Sequence, residues 1–95
     1  MSQEGDIAND AHRMNLLADT LDHCSSQIGF QLADLESALQ KLQQAFRDDR
    51  GHKAQKKLRD NMNEVAEFRR MLAVEIDRLR KLADQTIAFH RRDSY

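Results

Sequence analysis

The chain has 95 residues, 33% charged and 40% hydrophobic, with net charge -1, three Gly, one Cys and neither Pro nor Trp. That length supports a single domain and falls short of most enzyme folds. One cysteine excludes an intramolecular disulfide, no run reaches the ~18 apolar residues of a membrane span, and no apolar signal core opens the sequence, so a reducing cytoplasm is the expected compartment.

The first periodic segment steps alternately by four and three residues through Ile7, Ala11, Met14, Ala18, Leu21, Ser25, Ile28, Leu32, Leu35, Leu39, Leu42 and Phe46. All but Ser25 are apolar. A repeat near 3.5 residues held this long predicts a coiled-coil-like helix over about 9–46, with Asn9 or Asp6 as N-cap. Residues 47–52 carry no apolar anchor and predict a turn, with Asp48 as N-cap of the next helix or, because of Gly51, a later start near His52 or Lys53.

A second helix is predicted over about 53–90, followed by a tail at about 91–95. Its stripe holds Ala54, Leu58, Met62, Val65, Phe68, Leu72, Ile76, Leu79, Ala83 and Ile87. From Val65 the spacing follows an eleven-residue beat, which relaxes a heptad supercoil. A short connection makes the helices antiparallel neighbours, pairing positions whose numbers sum to about 100. The sequence halves also attract: residues 1–48 carry three basic and eight acidic side chains, and residues 49–95 carry twelve and eight.

The fold expected is therefore all-α, one helix-turn-helix hairpin. Its core is expected to hold Leu21, Ile28, Leu32, Leu35, Leu39, Leu42, Leu58, Val65, Phe68, Leu72, Ile76 and Leu79. Two helices cover only one stripe on each other, and a lone pair of this size buries little apolar surface against the entropy of ordering the chain. A partner is implied: a second copy, forming a four-helix homodimer, or a related hairpin. Leu16, Leu17, Cys24 and Phe30 on the first helix, and Met71, Val74 and Leu82 on the second, lie off the stripe as the expected dimer face.

This layout resembles the WXG-type helical hairpins, the early-secreted-antigen-like substrates of type VII secretion. The resemblance covers nearly the whole chain, in length, in two long helices and in the turn Phe46-Arg47-Asp48-Asp49-Arg50. Phe46 and Asp48 stand where the family has Trp and Gly; a proteobacterial branch with Trp-x-Asp at the turn is the better likeness, through Met14, Leu17, Ala18, Leu21, Leu58, Val65, Phe68 and the ending Asp93-Ser94-Tyr95. The resemblance implies a non-enzymatic adaptor whose recognition ends are the turn (Phe46, Arg47, Asp48, Arg50) and the tail. It further implies an export signal, a Tyr followed four residues later by an acid, whose spacing Phe89 and Asp93 reproduce with Phe for Tyr, and hence export by a type VII-like route.

Other chemistry finds little support in the sequence. The four histidines form no i, i+4 pair, so neither metal nor cofactor is expected. Cys24 has no neighbour that would activate it. The basic residues of the second helix are the one place for phosphates, but Asp60, Glu64, Glu67, Glu75, Asp77 and Asp84 interrupt them at helical pair spacing, as in Asp77 with Lys81. Nucleic-acid binding through that helix, or a chaperone-like hold on one protein, are the alternatives to the adaptor reading. No charge is expected in the seam, which leaves no catalytic pocket.

Overall fold

A computed structural model of the chain describes the backbone of residues 3–93 and the side chains of residues 6–91. The protein is all-α, a hairpin of α1 (Gln3–Ala45) and α2 (Asp49–Asp93). Both helices are longer than the sequence predicts. No proline interrupts the start of α1 and Asp6 lies in its first turn, at the positive end of the helix, so Asp6 and Asn9 sit inside α1 and cap nothing. Among the described residues, no helix is long and apolar enough to cross a membrane.

The turn is shorter than expected, three residues from Phe46 to Asp48. Asp48 is the N-cap: its Oδ1 accepts a hydrogen bond from the Gly51 amide at 2.7 Å, and its carbonyl accepts from the His52 amide at 3.0 Å. Gly51 lies within the first turn of α2. A Cβ there would sit 2.8 Å from both the Phe46 carbonyl oxygen and the Phe46 Cβ, so the tight return of the chain requires a residue without one. Gln55, buried, donates from Nε2 to that Phe46 carbonyl at 2.9 Å and so satisfies the end of α1 from across the turn.

Packing divides the chain into two compact units, each made of one stretch of either helix. One unit comprises residues up to Cys24 with those from Leu72 on. Its seam is made by Ala11, Ala18 and Ala83, all with no exposed surface, and by buried Ile76; Leu21, Leu72 and Leu79 are half-buried beside them. The alanines present no side chain beyond Cβ, which allows the two backbones to approach closely. Arg80 crosses this unit to Asp19 at 3.1 Å and Asp22 at 3.4 Å.

The other unit comprises Ser25–Met71 and holds the turn. Leu39 and Ser25 are buried there, and Ile28, Leu32, Glu36, Arg59, Met62 and Ala66 are half-buried. Five residues expected in the core are instead exposed: Leu35, Leu42, Leu58, Val65 and Phe68. The contact line of α2 runs through Gln55, Arg59, Met62 and Ala66 in steps of four, three and four, whereas the apolar stripe runs through Ala54, Leu58, Met62 and Val65. Met62 lies on both lines, while Ala54, Leu58 and Val65 each precede a contact residue by one, which turns them about 100° away from the seam. The expectation of an uncharged seam is corrected with it, since Glu36, Arg59 and Arg69 all join the two helices here.

Candidate interaction face

The displaced stripe creates the main surface feature of the turn-bearing unit. Ile28, Leu32, Leu35, Leu39 and Leu42 of α1 face Leu58, Met62 and Val65 of α2 across an open groove of about 320 Å³. Gln31 and Asn61 supply its only polar side chains, and Ala38 completes the lining. A second hollow of about 330 Å³ adjoins it at the turn, sharing Leu42 and Leu58 and adding Phe46, Ala54 and Gln55, with Asp48 and Arg50 at its rim. Together they form an apolar trough that ends beside two charges.

Polar contacts cluster on the other flank of the seam. Glu36 receives both terminal nitrogens of Arg59, at 3.2 and 3.3 Å, in a two-pronged ion pair that is about two-fifths exposed. Arg69 donates from Nε to the Ser25 carbonyl at 2.8 Å and to the Ser25 hydroxyl at 3.2 Å. Its guanidinium lies where a Cβ on Gly29 would be, 2.7 Å from Cζ and Nη2. Leu35 beside Glu36, and Leu58 beside Arg59, place a greasy flank and a salt-bridged flank about 100° apart on each helix.

The structure brings together Leu35, Leu42, Leu58 and Val65, which the sequence reading assigned to the hairpin's own core. It distributes the residues expected to form a dimer face. Leu16, Leu17, Cys24, Val74 and Leu82 are exposed in the unit without the turn; Phe30 and Met71 are exposed in the unit with it. Val74 and Leu82 border a shallow hollow on α2 with Asp77, Arg78, Lys81 and Gln85. Phe46 is 55% exposed, Arg47, Asp48 and Arg50 are exposed around it, and Phe89 stands out from α2. The helix continues through Asp93, so Phe89 and Asp93 lie four residues apart within α2 instead of in a tail; the Asp93 side chain, Ser94 and Tyr95 fall outside the described residues.

Among the described residues, five basic side chains of α2 pair with acids. Arg70 pairs with Glu67 at 2.6 Å, Arg78 with Glu75 at 3.7 Å and Lys81 with Asp77 at 3.0 Å, besides the links from Arg59 and Arg80 to α1. The hydrogen bond to Asp19 raises the Arg80 pKa above its usual value against an opposing desolvation, with Asp22 adding to the rise.

Sequence reasoning missed Glu36, Gln55, Arg59, Arg69 and Gly29. On α2 the signal was positional: Gln55, Arg59, Met62, Ala66 and Arg69 alternate in steps of four and three, whereas Leu58 stands four residues from both Ala54 and Met62. On α1 there was none, because Leu35 keeps the alternation through Leu32 and Leu39 and Glu36 does not. Comparison with protein families, with curated proteins and with solved structures returned no match to this chain.

Proposed function

We propose that this chain is a non-enzymatic protein-binding hairpin that works as a homodimer, two copies covering each other's apolar groove in a four-helix assembly, as the WXG-type hairpins it resembles would. The observation that carries this reading is surface area. The chain exposes 7761 Å², whereas a compact protein of 11.0 kDa exposes about 5,600 Å². The surplus of roughly 2,100 Å² is the amount that a chain hides in an obligate homodimer, which buries about 1,000–2,500 Å² per copy.

The chemistry of the groove supports binding over catalysis. Catalytic sites gather titratable or nucleophilic groups in a hollow, and this groove offers two amides among leucines. An apolar centre beside a charged end is the usual anatomy of a protein interface. The family assignment itself rests on the two-helix layout and on the Phe46-Arg47-Asp48 turn. Under this reading, the exposed turn and the Phe89 end of α2 remain free to engage a further protein.

Sedimentation equilibrium between about 1 and 100 μM tests the proposal. It expects twice the chain mass across that range. A folded species of single-chain mass at the highest concentration refutes it.

A further inference from the structure

We propose that Arg69, seated on the backbone of Gly29 and bonded to Ser25, is a positioning residue that fixes the rotation of α2, holding the apolar stripe outward for a second copy. This rests on the homodimer reading above. The turn-bearing unit contains two contact lines one residue apart. The line in use runs through Gln55, Arg59, Met62, Ala66 and Arg69. The line beside it, with Leu58, Val65 and Phe68, would match Ile28, Leu35 and Leu42 of α1 and close the groove from within. By burial alone the second is the better seam, since it hides five large side chains that now stand in water.

The polar contacts of the first line oppose that closure. Turning α2 to bring Leu58 and Val65 inward would carry Arg59 away from Glu36 and lift Arg69 off Ser25. Arg69 adds a steric element that the ion pair lacks. Its guanidinium occupies the space vacant at Gly29, with Nη1 only 2.9 Å from where a Cβ would stand. The guanidinium on a bare stretch of helix backbone adds a contact specific to this rotation, and Gly29 is the α1 residue that leaves room for it. Buried or half-buried polar contacts are known to select one packing among alternatives at some expense in stability, and here the alternative packing is the closed hairpin.

Two variants perturb the seat differently. Arg69→Leu removes the hydrogen bonds, while Gly29→Ala keeps Arg69 but pushes its flexible tip away and improves the helix propensity of α1. Each is compared with wild type by sedimentation equilibrium and by an intrachain disulfide reporter, Leu35→Cys with Val65→Cys in a Cys24→Ser background. Both variants should retain helicity, raise the dimer dissociation constant at least tenfold, and raise the yield of the intrachain Leu35–Val65 crosslink at least fivefold at dilute concentration. Arg69 acting only as a structural contact would lower the melting temperature and leave the crosslink unchanged, which overturns the proposal. A wild-type chain that sediments as a monomer defeats the homodimer reading alone, because the crosslink yields still decide whether Arg69 sets the rotation.

Discussion

Leu35→Asp distinguishes an apolar residue that holds the hairpin from one that waits for a second copy. Leu35 is 48% exposed, whereas Leu39, about one turn further along α1, is 2% exposed. Full burial of a leucine yields ~1.5–3 kcal/mol, so losing the half-covered side chain should cost a single chain about 1 kcal/mol, and the new carboxylate keeps its water. In the homodimer the same carboxylate is covered, and two-fold symmetry presents it twice. At about 2 kcal/mol per copy for an unpartnered polar group, the dimer loses ~4 kcal/mol, which raises its dissociation constant about a thousandfold. Leu39→Asp places the charge in a site already closed by the chain itself, where truncation alone costs ~2–5 kcal/mol. Far-ultraviolet circular dichroism in the cold, with sedimentation equilibrium, reads both effects. Leu35→Asp should be a helical monomer of lowered melting temperature, and Leu39→Asp should have lost most of its helix. A Leu35→Asp chain as unfolded as Leu39→Asp, or one that remains a dimer, refutes the assignment of Leu35 to an outward-facing groove.

The turn and the alanine seam give three further expectations. Gly51→Ala forces a Cβ to 2.8 Å from the Phe46 carbonyl oxygen, which is backbone and cannot step aside, so the melting temperature should fall despite alanine's better helix propensity; an unchanged or raised value contradicts the close approach. Asp48→Ala removes the cap on the Gly51 amide and should cost about 1 kcal/mol in chemical denaturation, with Asp48→Asn retaining most of it. Ala18→Leu inserts a large side chain where no surface is exposed, and overpacking of about 1–3 kcal/mol should appear as a lower denaturant midpoint.

Ala11, Ala18, Leu21, Ile76, Leu79 and Ala83 show where the sequence was a good guide. There the apolar stripe and the contact line coincide, so hydropathy period and packing give the same answer. The register was legible too, since the links from Arg80 to Asp19 and Asp22, and from Gln55 to Phe46, fall near the pairing predicted by a short connection. In the turn-bearing unit the two lines separate. A hydropathy pattern marks which residues avoid water; it does not say whether the covering surface belongs to the same chain. Leu35, Leu58 and Val65 therefore read as core, and Arg59 and Arg69, among the basic residues of the second helix, as solvated surface. Asp48 could be read because a cap has a fixed place before a helix, while Gln55 could not, because its partner is a backbone carbonyl nine residues away.

If association supplies part of the stability, dilution must withdraw it, and the size of the effect follows from chain length. Unfolding entropy near the midpoint is about 2.1 cal/mol/K per residue, or roughly 200 cal/mol/K for this chain and 400 for two copies melting together. Each tenfold dilution removes about 1.5 kcal/mol of association free energy near the midpoint, so the melting temperature should drop by about 4 °C per decade of concentration, and by about 8 °C between 500 and 5 μM. Leu35→Asp, monomeric throughout, should melt at one temperature over the same range. Both proteins carry the same ion pairs and the same turn, so contacts made within a chain cancel in the comparison, and any concentration dependence confined to wild type must come from a surface that Leu35 shares with another copy. A wild-type melting temperature that does not move with concentration would mean that the groove is left uncovered by self-association, and the homodimer would have to be abandoned.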